Sequence, residues 1–549
     1  MTAKRSLREE LPRSLVDISS ATKESSPLRG YPTRRQLPNG LVITALALSL
    51  CVVFTFAPFV SLFEVSRIKA FSYAASLLRG DQVQIEDSDE NLVHFEAWIE
   101  KQMDYSWNKV REHIGYPGTD KGSVIASPST SEPDYFFQWT RDGAMVMDVV
   151  VSAYRSGHHN DTLETILEYI DENERLQHTE TSIGGYYTGG LGDVKWNVDG
   201  TPFNGPWCRP QRDGPALRAI TLMRFAYEYS RREGIGAVPL LARLYDGKLP
   251  TNSIIKADLE FIANTFQEPG CDLWEEVTGM HHFTLLVTRR ALLYGARFAT
   301  DMHDPGAAAF YRKRAGDVSA LLEEYWDSKR GYIVSSLNYT DDHGKKVWLD
   351  VGTLLGALHG SPARHDGDDE DSEGQANWDW NDERMLATHF QTVESMRKAY
   401  KINDHFQPNL AAGVGRYVED VYDGAGMNYG NPWYLATLGV AEIIYRHVED
   451  RNRVGNFNIT LTSLPFYQRF TTTTGPETID IASASGRALS DALTMYADGF
   501  LKVVQHYQHP NGSLSEQFDR YEGYPRGARD LTWSYASFLT ATAARNRLR

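Results

Sequence analysis

A chain of 549 residues with 42% hydrophobic and 12% aromatic content can bury a large core. Its net charge of -16, from 56 Lys and Arg against 72 Asp and Glu, argues against a nucleic-acid partner and fits a solvated acidic surface. Of three cysteines, Cys51 lies inside an apolar run, so Cys208 and Cys271 form at most one intramolecular disulfide in the soluble part or stay as two buried thiols.

Residues 1–40 are polar, rich in Ser, Pro and Arg, and without apolar periodicity, which predicts a disordered tail. From Leu41 to Phe63 runs an almost uncharged segment, LVITALALSLCVVFTFAPFVSLF, whose length as a helix suits a hydrocarbon core of about 30 Å. The forty-residue leader is too long for a cleaved signal peptide, so the expectation is one uncleaved transmembrane anchor. Eight Lys or Arg precede the span (Lys4, Arg5, Arg8, Arg13, Lys23, Arg29, Arg34, Arg35), against Arg67, Lys69 and Arg79 just beyond it. That excess keeps the amino terminus in the cytosol and makes the remainder lumenal or extracellular, at the cell surface or in a vacuole. Sequons at Asn160, Asn338, Asn458 and Asn511 agree with that placement.

After a stem over 64–89, helical periodicity recurs with short polar or Gly-rich joints and no repeated strand pattern. Helices are predicted at Asn91–Ile114, Asp142–Arg155, Thr162–Glu174, Gly214–Arg232, Asn252–Thr265, Phe283–Ala299, Pro305–Trp326 and Glu383–Tyr400. Three more follow at Pro432–His447, Ser485–His506 and Leu531–Arg545. With no linker to divide them, residues 90–549 read as one all-α domain of about a dozen helices. Two stretches interrupt the pattern. Thr181–Cys208, rich in Gly, Tyr, Trp and Asn, is a loop long enough to build a binding site. Asp366–Glu373 is a run of like charge that reads as a solvated surface loop rather than a metal site.

The stretch Cys271–Gly279, CDLWEEVTG, sets Glu275 and Glu276 side by side behind Trp274. Adjacent side chains point in different directions, so one can donate a proton while the other clamps a ligand. A carboxyl desolvated beside the Trp274 ring would keep its proton to higher pH, as a general acid requires. The plainer reading is two glutamates favoured at a helix start by its dipole. Four further segments mix charge with aromatic faces: PDYFFQWTRD (133–142), NGPWCRPQRDGPALR (204–218), GRYVEDVY with GNPW (413–433), and SEQFDR with ARDLTWSY (515–535). Sugars offer apolar C–H faces and polar edges, which such segments can stack against and hydrogen-bond. Taken singly, each is better explained by an ion pair or a core aromatic.

Together and in order, these runs resemble the fungal glucoamylases of glycoside hydrolase family 15 from about Glu90 to Arg549, in long matches such as RPQRDGPALRA and ARDLTWSYA. The resemblance implies an (α/α)6 barrel with its active site in a pocket at one end, and an exo-acting inverting hydrolase that frees β-D-glucose from non-reducing ends of α-1,4-linked glucans. It implies Glu275 as catalytic acid, Glu516 as catalytic base, and Glu276 as a hold on the sugar beyond the scissile bond. Arg141, Asp142 and Arg416 would bind the terminal glucose; Tyr135, Trp139, Trp207 and Trp533 would form an aromatic wall, with Asp420 and Tyr422 in support. No metal and no organic cofactor is called for, and the chain is read as a monomer. Departures from the family pattern stand at Cys208, where Gly is usual, and at Cys271, where an aromatic is usual. Val418 replaces a frequent Pro, and Ala425–Met427 looks inserted. The rival readings are a non-catalytic carbohydrate-binding protein on the same scaffold and an exo-glucosidase of other linkage preference.

Overall fold

The computed structural model describes residues 89–157, 161–361, 378–406 and 411–549. The expected tail, membrane span and stem before residue 89, the acidic run Asp366–Glu373 and the sequon asparagine Asn160 lie outside them. Among the described residues no helix is long and apolar enough to cross a membrane.

Among the described residues, twelve of the fourteen α-helices build the two layers of the domain. In chain order they are α1 (Asp89–Glu112), α2 (Thr140–Ser156), α3 (Thr162–His178), α4 (Asp213–Glu233), α5 (Ile254–Thr265) and α6 (His282–Asp301). Then come α7 (Pro305–Leu322), α8 (Gly352–Gly360), α9 (Glu383–Ala399), α10 (Tyr434–Val454), α11 (Ala484–Tyr507) and α12 (Thr532–Asn546). The even-numbered helices form a closed ring, since α2 packs on α4, α4 on α6, α6 on α8, α8 on α10, α10 on α12, and α12 again on α2. Each odd-numbered helix lies outside against an inner one: α1 on α12, α3 on α2, α5 on α4, α7 on α6, α9 on α8 and α11 on α10. This double layer is consistent with the expected (α/α)6 barrel.

Burial separates the layers. On α7 the buried positions are Ala307, Ala308, Tyr311, Ala315, Val318 and Leu322, one face of an amphipathic helix, and its start is fixed by Pro305 and by the Asp304 side chain accepting from the Ala307 amide. On α4 every residue from Asp213 to Ala226 is buried, as an inner helix flanked on all sides requires. Outer and inner helices run in opposite directions. Near its start α1 pairs Glu96 with Arg545 at the end of α12, and just past its end His113 meets Thr532 at the beginning of α12.

The predicted helices are present with ends shifted by a few residues, the largest extension being α10, which runs through Asp450–Arg453 to stop at the left-handed Gly455. Three elements escape the sequence reading: the short helices Val238–Leu244 and Leu464–Tyr467, and the inner helix α8. Small antiparallel strand pairs also qualify the all-helical expectation. Three lie in the segments that enter the inner helices, Gln138–Trp139 with Lys195–Trp196, Gly270–Cys271 with Thr278–His281, and Gln517–Phe518 with Pro525–Arg526, while Trp326–Asp327 with Tyr332–Ile333 follows α7 and Asn456–Ile459 with Glu477–Asp480 follows α10.

Helix α8 is hidden from periodicity because it is short, largely apolar and rich in glycine. Gly352, Gly356 and Gly360 share one face at four-residue spacing, and that face lies against α6 and the segment before it. A methyl at Gly356 would come 3.3 Å from the Phe283 Cα, and one at Gly360 would come 2.8 Å from the Leu286 carbonyl carbon. Gly360→Ala should therefore destabilise the protein, because overpacking against backbone costs about 1–3 kcal/mol and outweighs the helix-propensity gain of roughly 1 kcal/mol. Gly316→Ala, on α7 with open space around the added methyl, should instead raise stability. Opposite shifts of the two thermal melts are expected.

Candidate active site

The segments leading into α2, α4, α6, α10 and α12, with the first turns of α2 and α12, wall one pocket of about 260 Å³. The ten residues assigned to catalysis or sugar binding all line it, as does Tyr422, whereas Asp420 stands behind Arg416 and does not. Tyr135, Trp139, Arg141 and Asp142 arrive on the entry to α2, Trp207 before α4, Glu275 and Glu276 before α6, Arg416 before α10, and Glu516 and Trp533 around the start of α12.

Glu275 sits in a tight turn at φ 65°, where the Asp272 carbonyl accepts its amide proton at 3.0 Å. Both of its oxygens are taken. Trp139 Nε1 (2.9 Å), Gln211 Nε2 (3.1 Å) and Arg141 Nη2 (3.4 Å) donate to Oε1, and Trp207 Nε1 donates to Oε2 at 2.7 Å. Burial pushes this carboxyl above its ordinary value, while Arg141, Gln211, Trp207 and Trp139 pull the other way. The sequence reading put Trp274 beside this acid; instead the Trp274 indole donates to Asp350, at 2.9 and 3.1 Å. The indoles on Glu275 come from distant segments because its neighbour points away along the turn.

Glu276 faces the other side and accepts from Arg416 Nη2 at 2.8 Å and from the Tyr417 hydroxyl at 2.7 Å. Arg416 is in turn held by both oxygens of Asp420, at 2.8 and 2.6 Å. Beneath them the buried Lys345 ammonium lies 3.2 Å from Asp272, 3.4 Å from Glu276 and 3.6 Å from Asp350. Burial alone would raise Asp272, but Lys345, His281 and the Val277 and Glu276 amides prevail and hold it at about 2. Asp350, for which burial prevails over Lys345 and Trp274, stands at about 6.

Glu516 is fully buried, yet only Oε2 is engaged, by Tyr422 Oη at 3.3 Å and Gln517 Nε2 at 3.2 Å. Its Oε1 has no hydrogen-bond partner among the described residues. Burial raises the carboxyl to about 8 against the opposing Tyr135, Arg416 and Tyr422. Its seat needs Gly527: a methyl there would fall 2.3 Å from Oε2, and the backbone at φ 70° already favours glycine. Arg141 Nε and Asp142 Oδ2 stand 3.4 Å apart as an ion pair without a hydrogen bond, so both keep bonding capacity at the pocket wall. Burial lifts Asp142 to about 6 despite Arg141.

The aromatic wall has an unforeseen centre. Lys195, from the long loop flagged in the sequence, points its ammonium at four rings, 3.7 Å from the Trp207 centroid, 4.0 Å from Phe137, 4.3 Å from Phe203 and 4.6 Å from Trp139. Burial lowers it to about 8, with Glu275 acting in the opposite sense. Sequence reasoning missed Lys195, Gln211, Lys345, Asp350 and Tyr417. Gln211 and Tyr417 stood inside quoted runs, whereas the two lysines carried no local signal, since a lone Lys in a loop reads as solvated.

A buried, hydrogen-bonded carboxyl and a second one with a bare oxygen thus face a single cavity with stacking rings and charged clamps, an arrangement fit for proton transfer to and from a bound sugar. A family described as Glycosyl hydrolases family 15 matches residues 100–543. A glucoamylase from Blastobotrys adeninivorans is 38% identical over 452 residues, covering 80% of this chain and 69% of the relative. A probable glucoamylase from Schizosaccharomyces pombe is 34% identical over 461 residues, 83% of this chain and 92% of the relative. Among solved structures, the family 15 glucoamylase from Hypocrea jecorina superposes with a TM-score of 0.74 at 34% identity, over 82% of this chain and 72% of that one. The glucoamylase from Saccharomycopsis fibuligera gives 0.74 at 30% identity, over 83% and 96%.

Proposed function

The chain belongs to the glycosyl hydrolases of family 15, and from that premise we infer that it is a glucoamylase-type enzyme, an exo-acting hydrolase releasing glucose from the non-reducing ends of α-1,4-linked glucans. One observation carries the division of labour between the carboxyls: Glu275 is held at both oxygens, whereas Glu516 leaves Oε1 bare. Glu275 acts as general acid and gives its proton to the glycosidic oxygen as that bond breaks. Glu516 acts as general base; its free oxygen takes a proton from water, whose oxygen bonds to the anomeric carbon from the opposite face. The products are β-glucose and a glucan one unit shorter. Arg141, Asp142 and Arg416 grip the terminal glucose, Glu276 the next sugar, and Tyr135, Trp139, Trp207 and Trp533 supply ring faces.

The working state needs Glu275 protonated and Glu516 ionised. Burial prevails over Tyr135, Arg416 and Tyr422 and keeps Glu516 at about 8. Ligand hydroxyls and the attacking water add donors to the bare oxygen, while the glycosidic oxygen gives the Glu275 proton an acceptor, so substrate itself favours the productive pattern.

Glu516→Gln should lower kcat by about 10² to 10⁴ with KM little changed. Glu275→Gln should lose as much on maltose but regain rate on α-glucosyl fluoride, whose leaving group needs no proton. Chiral chromatography or polarimetry of the first product should detect β-glucose; α-glucose first, or equal rescue of both variants, would reverse the assignment. For pH, Tyr422 donates to Glu516 and favours its ionised form. Tyr422→Phe removes that donor and raises the carboxyl further, so the acid limb of kcat/KM should move to higher pH; an unmoved limb would sever Glu516 from it.

A type II, single-pass topology with the hydrolase lumenal or extracellular is the placement we put forward. Support comes from the apolar run Leu41–Phe63, from a disulfide between Cys208 and Cys271, which an oxidising compartment permits, and from the exposure of Asn338, Asn458 and Asn511. Protease added to sealed microsomes should remove only the tail before Leu41; digestion of the large domain would refute this topology.

A further inference from the structure

Cys208 and Cys271 are joined across 63 residues of sequence, with Cα atoms 5.7 Å apart. Each half-cystine adjoins a part of the acid's housing. Cys208 follows Trp207, whose indole donates to Glu275 Oε2 at 2.7 Å. Cys271 opens the turn in which Asp272 accepts the Glu275 amide, and its own amide donates to the Pro210 carbonyl at 2.9 Å. The covalent path from Trp207 through the disulfide to Glu275 and the hydrogen bond from Trp207 back to Glu275 therefore close one small ring around the acid.

The two sides of that ring differ in rigidity. Cys271 is buried and paired to Thr278 in a strand ladder. The Phe203–Cys208 segment has no regular structure and is at least partly exposed along its length. Its ties are the Arg209 guanidinium on the Phe203 and Gly205 carbonyls, Gln211 Nε2 on the Cys208 carbonyl at 3.3 Å, Lys195 and the Phe137 and Trp139 rings against Phe203 and Trp207, and the disulfide. A segment with so little buried surface opens at small cost unless it is strapped. Trp207 also bears on the proton, since its N–H favours the ionised form of Glu275.

We propose that the Cys208–Cys271 bond is a positioning device for the general acid, holding Trp207 on Glu275 and thereby setting both the direction and the acidity of its proton. This rests on the assignment of Glu275 as acid. Neither cysteine touches substrate; they act through Trp207 and the Asp272–Glu275 turn.

The test compares wild type with Cys208→Ala/Cys271→Ala on maltose and on α-glucosyl fluoride across pH. Misplacing the acid by a fraction of an ångström should lower kcat on maltose by roughly tenfold to a hundredfold. The fluoride, which takes no proton, should keep its rate within about twofold. Loss of the Trp207 donor raises the carboxyl of Glu275, so the basic limb of the maltose profile should shift to higher pH. A merely structural bond predicts equal loss on both substrates, in step with thermal stability, and no limb shift; that result overturns the proposal. Should the variant fail to fold, folded wild type treated with a water-soluble phosphine, with thiols counted by mass spectrometry, must show the same split between substrates. An unchanged activity ratio after full reduction, or two free thiols before it, also overturns it. Glu275→Gln run alongside separates the two ideas: without fluoride rescue there, the acid assignment falls, whereas rescue there with uniform loss in the cysteine variant condemns the strap alone.

Discussion

A carboxyl group taken out of water must be met by donors or give up its charge, and the pocket end of this domain is arranged around that constraint. Glu275, Glu276, Asp272, Asp350, Asp142 and Glu516 are all largely screened from solvent there. Three cations answer most of them: Arg141 serves Asp213 and Glu275, Arg416 serves Glu276 and Asp420, and Lys345 serves Asp272, Glu276 and Asp350. The inner helices add to this. The segments entering α2, α4, α6, α10 and α12 meet at the pocket, bringing positive dipole ends toward the acids. What remains unanswered is selective, for Oε1 of Glu516 and Oδ2 of Asp142 are left open to a ligand.

The legible part of the fold was the amphipathic part. Outer helices such as α7 and α11 bury one face, so their periodicity and capping residues stand out in sequence. The inner α8 could not be read that way, because a helix buried on every side has no polar stripe, and its glycines argue against a helix unless the backbone it approaches is already known. Closure of the ring is likewise a property of contacts far apart in sequence. At the site, the residues flagged by aromatic and acidic runs do converge; each run alone reads as an ion pair or a core aromatic, and only the set of them in order points to one pocket. The supporting Lys195 and Lys345 were illegible. Each acquires its meaning from groups supplied by other segments: four rings for the one, three carboxylates for the other.

The misjudged Trp274 has the same origin. Sequence adjacency suggested an indole against its neighbouring acid, but a turn with Glu275 at φ 65° sends successive side chains apart. The acid is served instead by Trp139 and Trp207, and Trp274 contributes a face at 5.6 Å from the Trp433 ring while tying down Asp350. Neighbours in the chain thus belong to different networks, which lets two adjacent glutamates have different partners at the same wall.

The alternation of inner and outer helices also separates the two ends of the domain. The inner α12 begins at the pocket and ends where its Arg545 meets Glu96, near the start of the outer α1, so that ion pair marks the face away from the pocket mouth. The hairpin that follows α10, whose own start at Trp433 lines the pocket, lies at that same rear face, so a glycan on the exposed Asn458 would leave the pocket mouth unobstructed.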